Sequence, residues 1–346
     1  MSVLAGGTMF YLWRRMKEED RGRVWQLYGW FTALMACGSC FGVVAWTASM
    51  FHRARNFEAD YAETVVEHLS LSALSYRWRA AFLVTYAIEF LCLSAALLMV
   101  LDRMSVFAAL EMPRRWALAG RVVMAAVVLG NAVGLAANAA AAVHFQKAAQ
   151  AASTASAAYA ANNTEDGQRF RFFGREEVQL GGSIASVQSF SEVAVLLLIV
   201  VAFAVVGVLS ARRVRSRLLG VDAASAAAST GRALRWRMLG TTAFVFVTFV
   251  LRAAFSTMNA VAYQLRSTFT KSCPDVCDDC NNAYFLITQW MAYTPEFQLL
   301  IVLISSPVAL LVALWGMTSN ATLHLMKSSQ REALLSLKPV KSVLRK

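Results

Sequence analysis

The sequence has no lysine in any of its long apolar segments, and it has only four histidines. A retinal Schiff base of the microbial-rhodopsin kind therefore has no attachment point. Four histidines, none of them in the middle of an apolar segment, are too few for a membrane di-iron oxygenase and misplaced for a bis-histidine haem. No HExxH, GxSxG, Walker or dinucleotide-binding glycine pattern is present. We therefore expect a protein that is not an enzyme and that holds no cofactor.

What the chain has is six apolar segments, each of about twenty residues or more and long enough to cross the hydrocarbon core of a bilayer as a helix. They are 28–51, 80–101, 116–143, 191–211, 238–263 and 294–317. The chain has 346 residues, of which 58% are hydrophobic. This pattern predicts a single all-α domain, a polytopic membrane bundle of six transmembrane helices over residues 28–317.

The segments between the apolar runs alternate in charge. Segments 1–27, 102–115, 212–237 and 318–346 carry 21 lysines and arginines, whereas 52–79, 144–190 and 264–283 carry 10. Basic residues concentrate on the cytoplasmic side of membrane proteins. We therefore expect both termini in the cytoplasm, with 1–27 as an interfacial segment, 318–346 as a basic tail, and 52–79, 144–190 and 264–283 on the outer side.

The net charge of +12 has a plain explanation in this topology. Its excess lies in the cytoplasmic segments, which favours contact with anionic lipids of the inner leaflet rather than with nucleic acid. The expected location is the plasma membrane or an endomembrane, with the mitochondrial inner membrane as the alternative.

The outer segments are expected to extend the helices. Apolar residues recur at helical spacing within 52–79, which predicts an amphipathic helix running into the second span. Alanine continues without a breaker to about residue 161, so the third helix is expected to project beyond the bilayer. The polar stretch 162–182 ends in Gly181-Gly182, which predicts the flexible tip of the longest outer loop. The fourth span is almost purely aliphatic and is expected to face lipid.

Small residues at a spacing of four predict two helix-packing faces. Gly38 and Gly42 form one in the first span, and Gly130, Gly134 and Asn138 form the other in the third. Such stripes let two helix backbones approach closely in a membrane.

Ionisable residues inside a span are costly and are functional candidates by default. Glu89 and Arg252 lie deep in the second and fifth spans, and we predict that they form an intramembrane pair, either as a structural lock or as part of an ion path, ligand site or switch. Arg121 and Glu192 lie nearer the boundaries, where snorkelling to the interface is the simpler expectation.

Three cysteines lie close together on the predicted outer side, at Cys273, Cys277 and Cys280. They predict one local disulfide and a remaining thiol that stays free or links to another subunit. A metal site using neighbouring aspartates and outer histidines is the less favoured alternative, so no metal is assigned. Asn162 begins a sequon and is a possible glycosylation site, although a second sequon at Asn320 falls on the inner side.

The stretch Phe246–Arg252, followed by a last span that contains Pro307, resembles the final two helices of the plant tobamovirus-multiplication seven-helix proteins and their receptor-like relatives. The resemblance covers a small part of the chain, which has six predicted spans instead of seven. It implies no functional residue.

Two kinds of function remain. The first is a receptor-like protein or a subunit of a membrane assembly, which binds other membrane proteins or a second copy of itself through the outer face. The second is an ion channel or small-solute transporter that uses Glu89 and Arg252. The outer cysteine cluster and the packing stripes favour the first, because the fourth span offers almost no polar residue to a conduction path.

Overall fold

A computed structural model describes residues 18–109, 114–218 and 226–272, together with 283–284, 286–287 and 289–290. The three long ranges form five α-helices and contain no strand. In chain order they are α1 (Glu18–Asp60), α2 (Val65–Ala109), α3 (Arg114–Ala160), α4 (Thr164–Leu218) and α5 (Ala226–Ser272). The all-helical prediction is confirmed for this part of the chain. The sixth predicted span, the three clustered cysteines and the basic tail lie outside the described residues.

Each of the five helices is longer than a membrane crossing requires. They contain 43, 45, 47, 55 and 47 residues, whereas about 20 residues cross the hydrocarbon core. All five include a stretch that is long and apolar enough to span a membrane. The chain is therefore compatible with an integral membrane protein whose helices continue beyond the bilayer.

Neighbouring helices are antiparallel, and tight turns join α1 to α2 and α3 to α4. Each helix packs against the next along the chain, and α2 also packs against α4. The α1–α2 turn (61–64) and the α3–α4 turn (161–163) lie at one end of the bundle, which we call the hairpin end. This end corresponds to the predicted outer side. Trp46 of α1 and Phe255 of α5 meet toward the same end, so α1, α2, α4 and α5 enclose a common interior.

The α1–α2 turn divides the segment that the sequence predicts as one amphipathic helix. Residues 52–60 complete α1, and Thr64 starts α2 by accepting a hydrogen bond on Oγ1 from the Glu67 backbone N–H at 3.2 Å. Ser, Thr, Asp and Asn are favoured at this N-cap position because their side chains bond an otherwise unpaired backbone N–H. The predicted helix running into the second span is therefore confirmed from Val65 onward, whereas residues 52–60 belong to α1 instead.

Thr64→Ala is expected to lower the free energy of unfolding by about 1 kcal/mol, because it removes the N-cap of α2. Thr64→Ser keeps the hydroxyl and is the matched control. Amide hydrogen exchange at residues 65–68 should accelerate in the alanine variant only. Equal protection in both variants would contradict a capping role.

The α3–α4 turn lies at Asn162 and Asn163, not at the glycine pair. Asn162 has a φ of 60°, a left-handed conformation that asparagine tolerates better than most residues. Asn163 caps α4 by accepting from the Asp166 backbone N–H at 3.2 Å on Oδ1. The expected extension of α3 is confirmed to Ala160, and Gly181-Gly182 lies within α4. The prediction of a flexible loop tip at these glycines is wrong.

Glycines of α4 instead line its contact with α3. Gly167, Gly174 and Gly181 recur every seven residues, a spacing that returns to nearly the same helix face. A Cβ added at Gly174 or Gly181 would lie 3.3 or 3.2 Å from the Cβ of Ala151 or His144 on α3. The opposing part of α3 is rich in alanine, so the two backbones approach closely along the hairpin.

The apolar part of α4 is central to the bundle. Val195, Leu196 and Ile199 are at most 1% exposed and belong to a core to which all five helices contribute. Leu197 and Val201 on the opposite face are 48% and 61% exposed. The prediction that this span faces lipid is therefore wrong for half of its surface. A helix that is apolar all round has no periodicity to distinguish its buried face from its exposed one.

Candidate functional site

Three ionisable side chains from three helices lie together inside the bundle. They are Glu89 of α2, Glu192 of α4 and Arg252 of α5, and they are 5%, 2% and 1% exposed. Arg252 Nε is 3.3 Å from Glu192 Oε1, and the Arg252 guanidinium also lies over the Phe90 ring, 5.5 Å from its centroid. The prediction that Glu192 snorkels to the interface is wrong, because α4 begins well before this residue and neighbouring helices cover it. Arg121, in contrast, is exposed.

The Glu192 carboxylate accepts hydrogen bonds from side chains of three helices. Tyr86 OH of α2 donates to both carboxylate oxygens, at 2.9 and 3.0 Å. Gln188 Nε2 of α4 donates to Oε2 at 3.1 Å, and Ser256 Oγ of α5 donates to Oε1 at 3.1 Å. With Arg252 included, four side chains satisfy this one buried charge. A buried charge is tolerated when it is both ion-paired and hydrogen-bonded in this way.

Glu89 lies one helical turn below Tyr86 on α2 and packs against α1. A Cβ added at Gly42 would lie 3.0 to 3.3 Å from the Glu89 carboxyl atoms, so this carboxyl group packs tightly against the α1 backbone at a glycine. Glu89 Oε2 is buried and has no hydrogen-bond partner among the described residues. Glu89 interacts electrostatically with both Arg252 and Glu192. The predicted partner of Arg252 thus belongs to a layer of three charges, in which Glu192 is the carboxylate that contacts Nε.

A cleft lies against this layer, between α1, α2, α4 and α5. Its lining includes Tyr86, Gln188, Ser256 and Glu192 at one end and Arg53 and Arg79 at the other. The two arginines are seven residues toward the hairpin end from Trp46 on α1 and from Tyr86 on α2, about 10 Å at 1.5 Å per residue. The cavity volume of the cleft is about 70 Å³, and the cleft is partly open to solvent. The polar side chains Tyr86, Gln188, Glu192 and Ser256 close the inner end of the cleft, and we call them its floor.

The small residues predicted to pack helices lie at helix contacts. Gly38 faces α2, where an added Cβ would be 3.2 Å from Cys92 Cβ. Gly130 and Gly134 face α4, and Ser191 Oγ donates to the Gly130 carbonyl at 2.7 Å. Asn138 is fully buried, and its Nδ2 donates to the Leu83 carbonyl of α2 at 3.0 Å.

The histidines of the alternative metal site lie apart, and each links two helices. His52 Nδ1 is 2.8 Å from Ser75 Oγ, His68 Nδ1 donates to the Ala59 carbonyl at 2.7 Å, and His144 Nδ1 is 2.6 Å from Glu177 Oε2. In the described ranges, no three His, Cys, Asp or Glu side chains are grouped closely enough to hold a metal ion.

The predicted modification sites stay predictions. Cys273, Cys277 and Cys280 lie outside the described residues, and the described cysteines, Cys37, Cys40 and Cys92, are free thiols. Asn162 is exposed at the α3–α4 turn.

Sequence reasoning missed Tyr86 and Gln188, which together with Ser256 complete the network around Glu192. One signal was available, because Gln188 and Glu192 are four residues apart and therefore neighbours on one helix face. Nothing in the sequence, however, indicates that Tyr86 and Ser256 from two other helices meet the same carboxylate.

No family model matches the chain, and neither a curated protein nor a solved structure matches it significantly. The geometry of the helices and of the buried charges is therefore the basis for a functional proposal.

Proposed function

We propose that this chain is a non-enzymatic integral membrane protein that acts by binding partners at its hairpin end, as a receptor-like protein or as a subunit of a membrane assembly. The positive-inside pattern of the sequence predicts that this end lies on the outer side. The observation that carries the proposal is a pair of exposed aromatic side chains in a strongly charged part of α4.

Phe172 and Phe173 are 65% and 46% exposed. Arg171 and Arg175 flank them, and the first fourteen residues of α4 contain seven charged side chains. Such a segment is too costly to insert into hydrocarbon, so lipid contact does not explain the exposed rings. Contiguous exposed apolar residues with a polar rim are typical of a protein–protein contact.

The rings stand on a closely packed helix hairpin, which favours a binding role. Gly167, Gly174 and Gly181 of α4, which we call the glycine seam, let α4 pack closely against α3. His144 Nδ1 of α3 also lies 2.6 Å from Glu177 Oε2 of α4. On the neighbouring hairpin, Phe57 and Tyr61 are also exposed, with ring centroids 4.7 Å apart. Preorganised aromatic anchors lower the entropic cost of association.

A photo-crosslinking amino acid at position 172 is expected to capture one defined protein, or a second copy of this chain, in native membranes. The matched control places the same amino acid at Leu197, which is 48% exposed on the apolar part of α4 and is expected to capture lipid. Mass spectrometry of the crosslinked products distinguishes the two. Lipid adducts alone at position 172 would contradict the proposal.

The alternative is an ion channel or small-solute transporter. It is favoured by one specific observation, that Glu89 Oε2 is a buried acceptor without a hydrogen-bond partner among the described residues, in the same layer as Arg252 and Glu192. Ion flux through the purified chain in liposomes, abolished by Glu89→Gln, would establish this alternative.

A further inference from the structure

We propose that the cleft between α1, α2, α4 and α5 binds a small organic anion, with its carboxylate or phosphate group at Arg53, Arg79 and Trp46 Nε1 and its apolar body between the aromatic walls. This goes beyond partner binding at the hairpin end, and either proposal can fail without the other.

The charges of the cleft favour an anion. Its lining contains two arginines, Arg53 and Arg79, and one carboxylate, Glu192. The Glu192 charge is already met by Arg252 beneath the floor and by hydrogen bonds from three further side chains, Tyr86, Gln188 and Ser256. A ligand entering from the hairpin end therefore meets cationic groups first and a neutralised carboxylate last.

An unused donor in the wall points the same way. Trp46 lines the cleft, and its Nε1 is buried with no hydrogen-bond partner among the described residues. An indole N–H is a donor only, and leaving a buried donor without an acceptor is energetically unfavourable. A carboxylate or phosphate oxygen would supply that acceptor.

The remaining walls fit an apolar body. Trp46 and Phe82 pack edge to face with ring centroids 6.3 Å apart, and Phe255 belongs to the same wall. Arg79 lies over the Phe82 ring, 5.1 Å from its centroid, which holds its cationic group at the aromatic surface. Small-molecule sites commonly combine apolar walls with a few polar groups that fix orientation.

The same anionic group has two sources, a soluble metabolite or a lipid headgroup, and the test includes both. We would titrate the full-length chain in phosphatidylcholine nanodiscs with naphthoate, with its neutral amide naphthamide, and with inorganic phosphate, using calorimetry. A second set of nanodiscs contains phosphatidic acid. We expect saturable binding of naphthoate. Naphthamide should bind at least about tenfold more weakly, because the site recognises the anionic group. Loss of naphthoate binding in phosphatidic acid nanodiscs would assign the site to lipid headgroups.

Two variants locate the binding. Arg53→Gln should weaken naphthoate binding about tenfold, because a charge-assisted hydrogen bond is lost, and Trp46→Phe should weaken it about fivefold while keeping the aromatic wall. Arg77→Gln removes an exposed arginine outside the cleft and is the control. Equal binding of the acid and the amide, equal effects of Arg53→Gln and Arg77→Gln, or no binding of naphthoate, phosphate or phosphatidic acid would overturn the proposal. Unfolding midpoints without ligand separate folding defects from loss of the site.

Discussion

Replacing Glu192 with glutamine is expected to destabilise the protein by about 3–5 kcal/mol, one of the largest effects of any single substitution here. The substitution removes the charge that faces Arg252 Nε at 3.3 Å, so a guanidinium that is 1% exposed loses its ionic contact with α4. Breaking a buried pair from one side is costly because the remaining charge stays desolvated. Since domains are stable by only about 5–15 kcal/mol, yield and unfolding midpoint in detergent should both fall sharply.

The double-mutant cycle identifies the coupling. Glu192→Gln, Arg252→Gln and their combination should give a coupling energy of about 1–3 kcal/mol, since residues in one ion-paired network are not additive. The exposed pair Arg55 and Glu58 is the control and should show less than about 1 kcal/mol. A second double-mutant cycle, on Glu89 and Arg252, tests whether these two residues pair, as predicted from their positions deep within the second and fifth spans. Additive effects at Glu192 and Arg252 would contradict the network.

The helices could be predicted from the sequence because hydropathy alone marks an apolar stretch long enough to cross a membrane. The turns could have been predicted as well. Thr64-x-x-Glu67 and Asn163-x-x-Asp166 are local N-cap patterns, and both mark helix starts in the structure. Gly181 could not be interpreted locally, because glycine serves either a turn or a close helix contact. Only the position of α3 decides between these two roles.

The candidate site was predicted in part, for a related physical reason. Glu89 and Arg252 stand out because they lie far from any charged boundary, whereas Glu192 follows a polar segment that looks like the edge of a span. That segment is helical, so its neighbours can cover Glu192 although its sequence is polar. The cleft could not be predicted, because residues of four helices line it and the sequence does not determine which helix faces meet.

Gly181→Leu and Gly182→Leu, two neighbouring substitutions of the same kind, are expected to change stability in opposite directions. Gly181 is buried, and an added Cβ would lie 3.2 Å from His144 Cβ and from the Phe145 ring. Overpacking of this kind costs about 1–3 kcal/mol. Gly182 has no atom within 4 Å of an added Cβ, so leucine there gains up to about 1 kcal/mol of helix propensity.

The comparison distinguishes a helix seam from a flexible loop. If these glycines formed a loop tip, both leucines would be tolerated and neither would change the distance between α3 and α4. If Gly181 lies in the helix contact, only Gly181→Leu should move α4 away from α3. Unfolding midpoints measure the energetic difference. A pair of spin labels at the exposed residues Gln150 and Arg175 would report the helix separation by electron paramagnetic resonance. A larger distance in Gly181→Leu and an unchanged one in Gly182→Leu is the expected result, and equal distances in both variants would contradict the seam. Because this hairpin supports Phe172 and Phe173, Gly181→Leu should also reduce crosslinking from position 172, and Gly182→Leu should not.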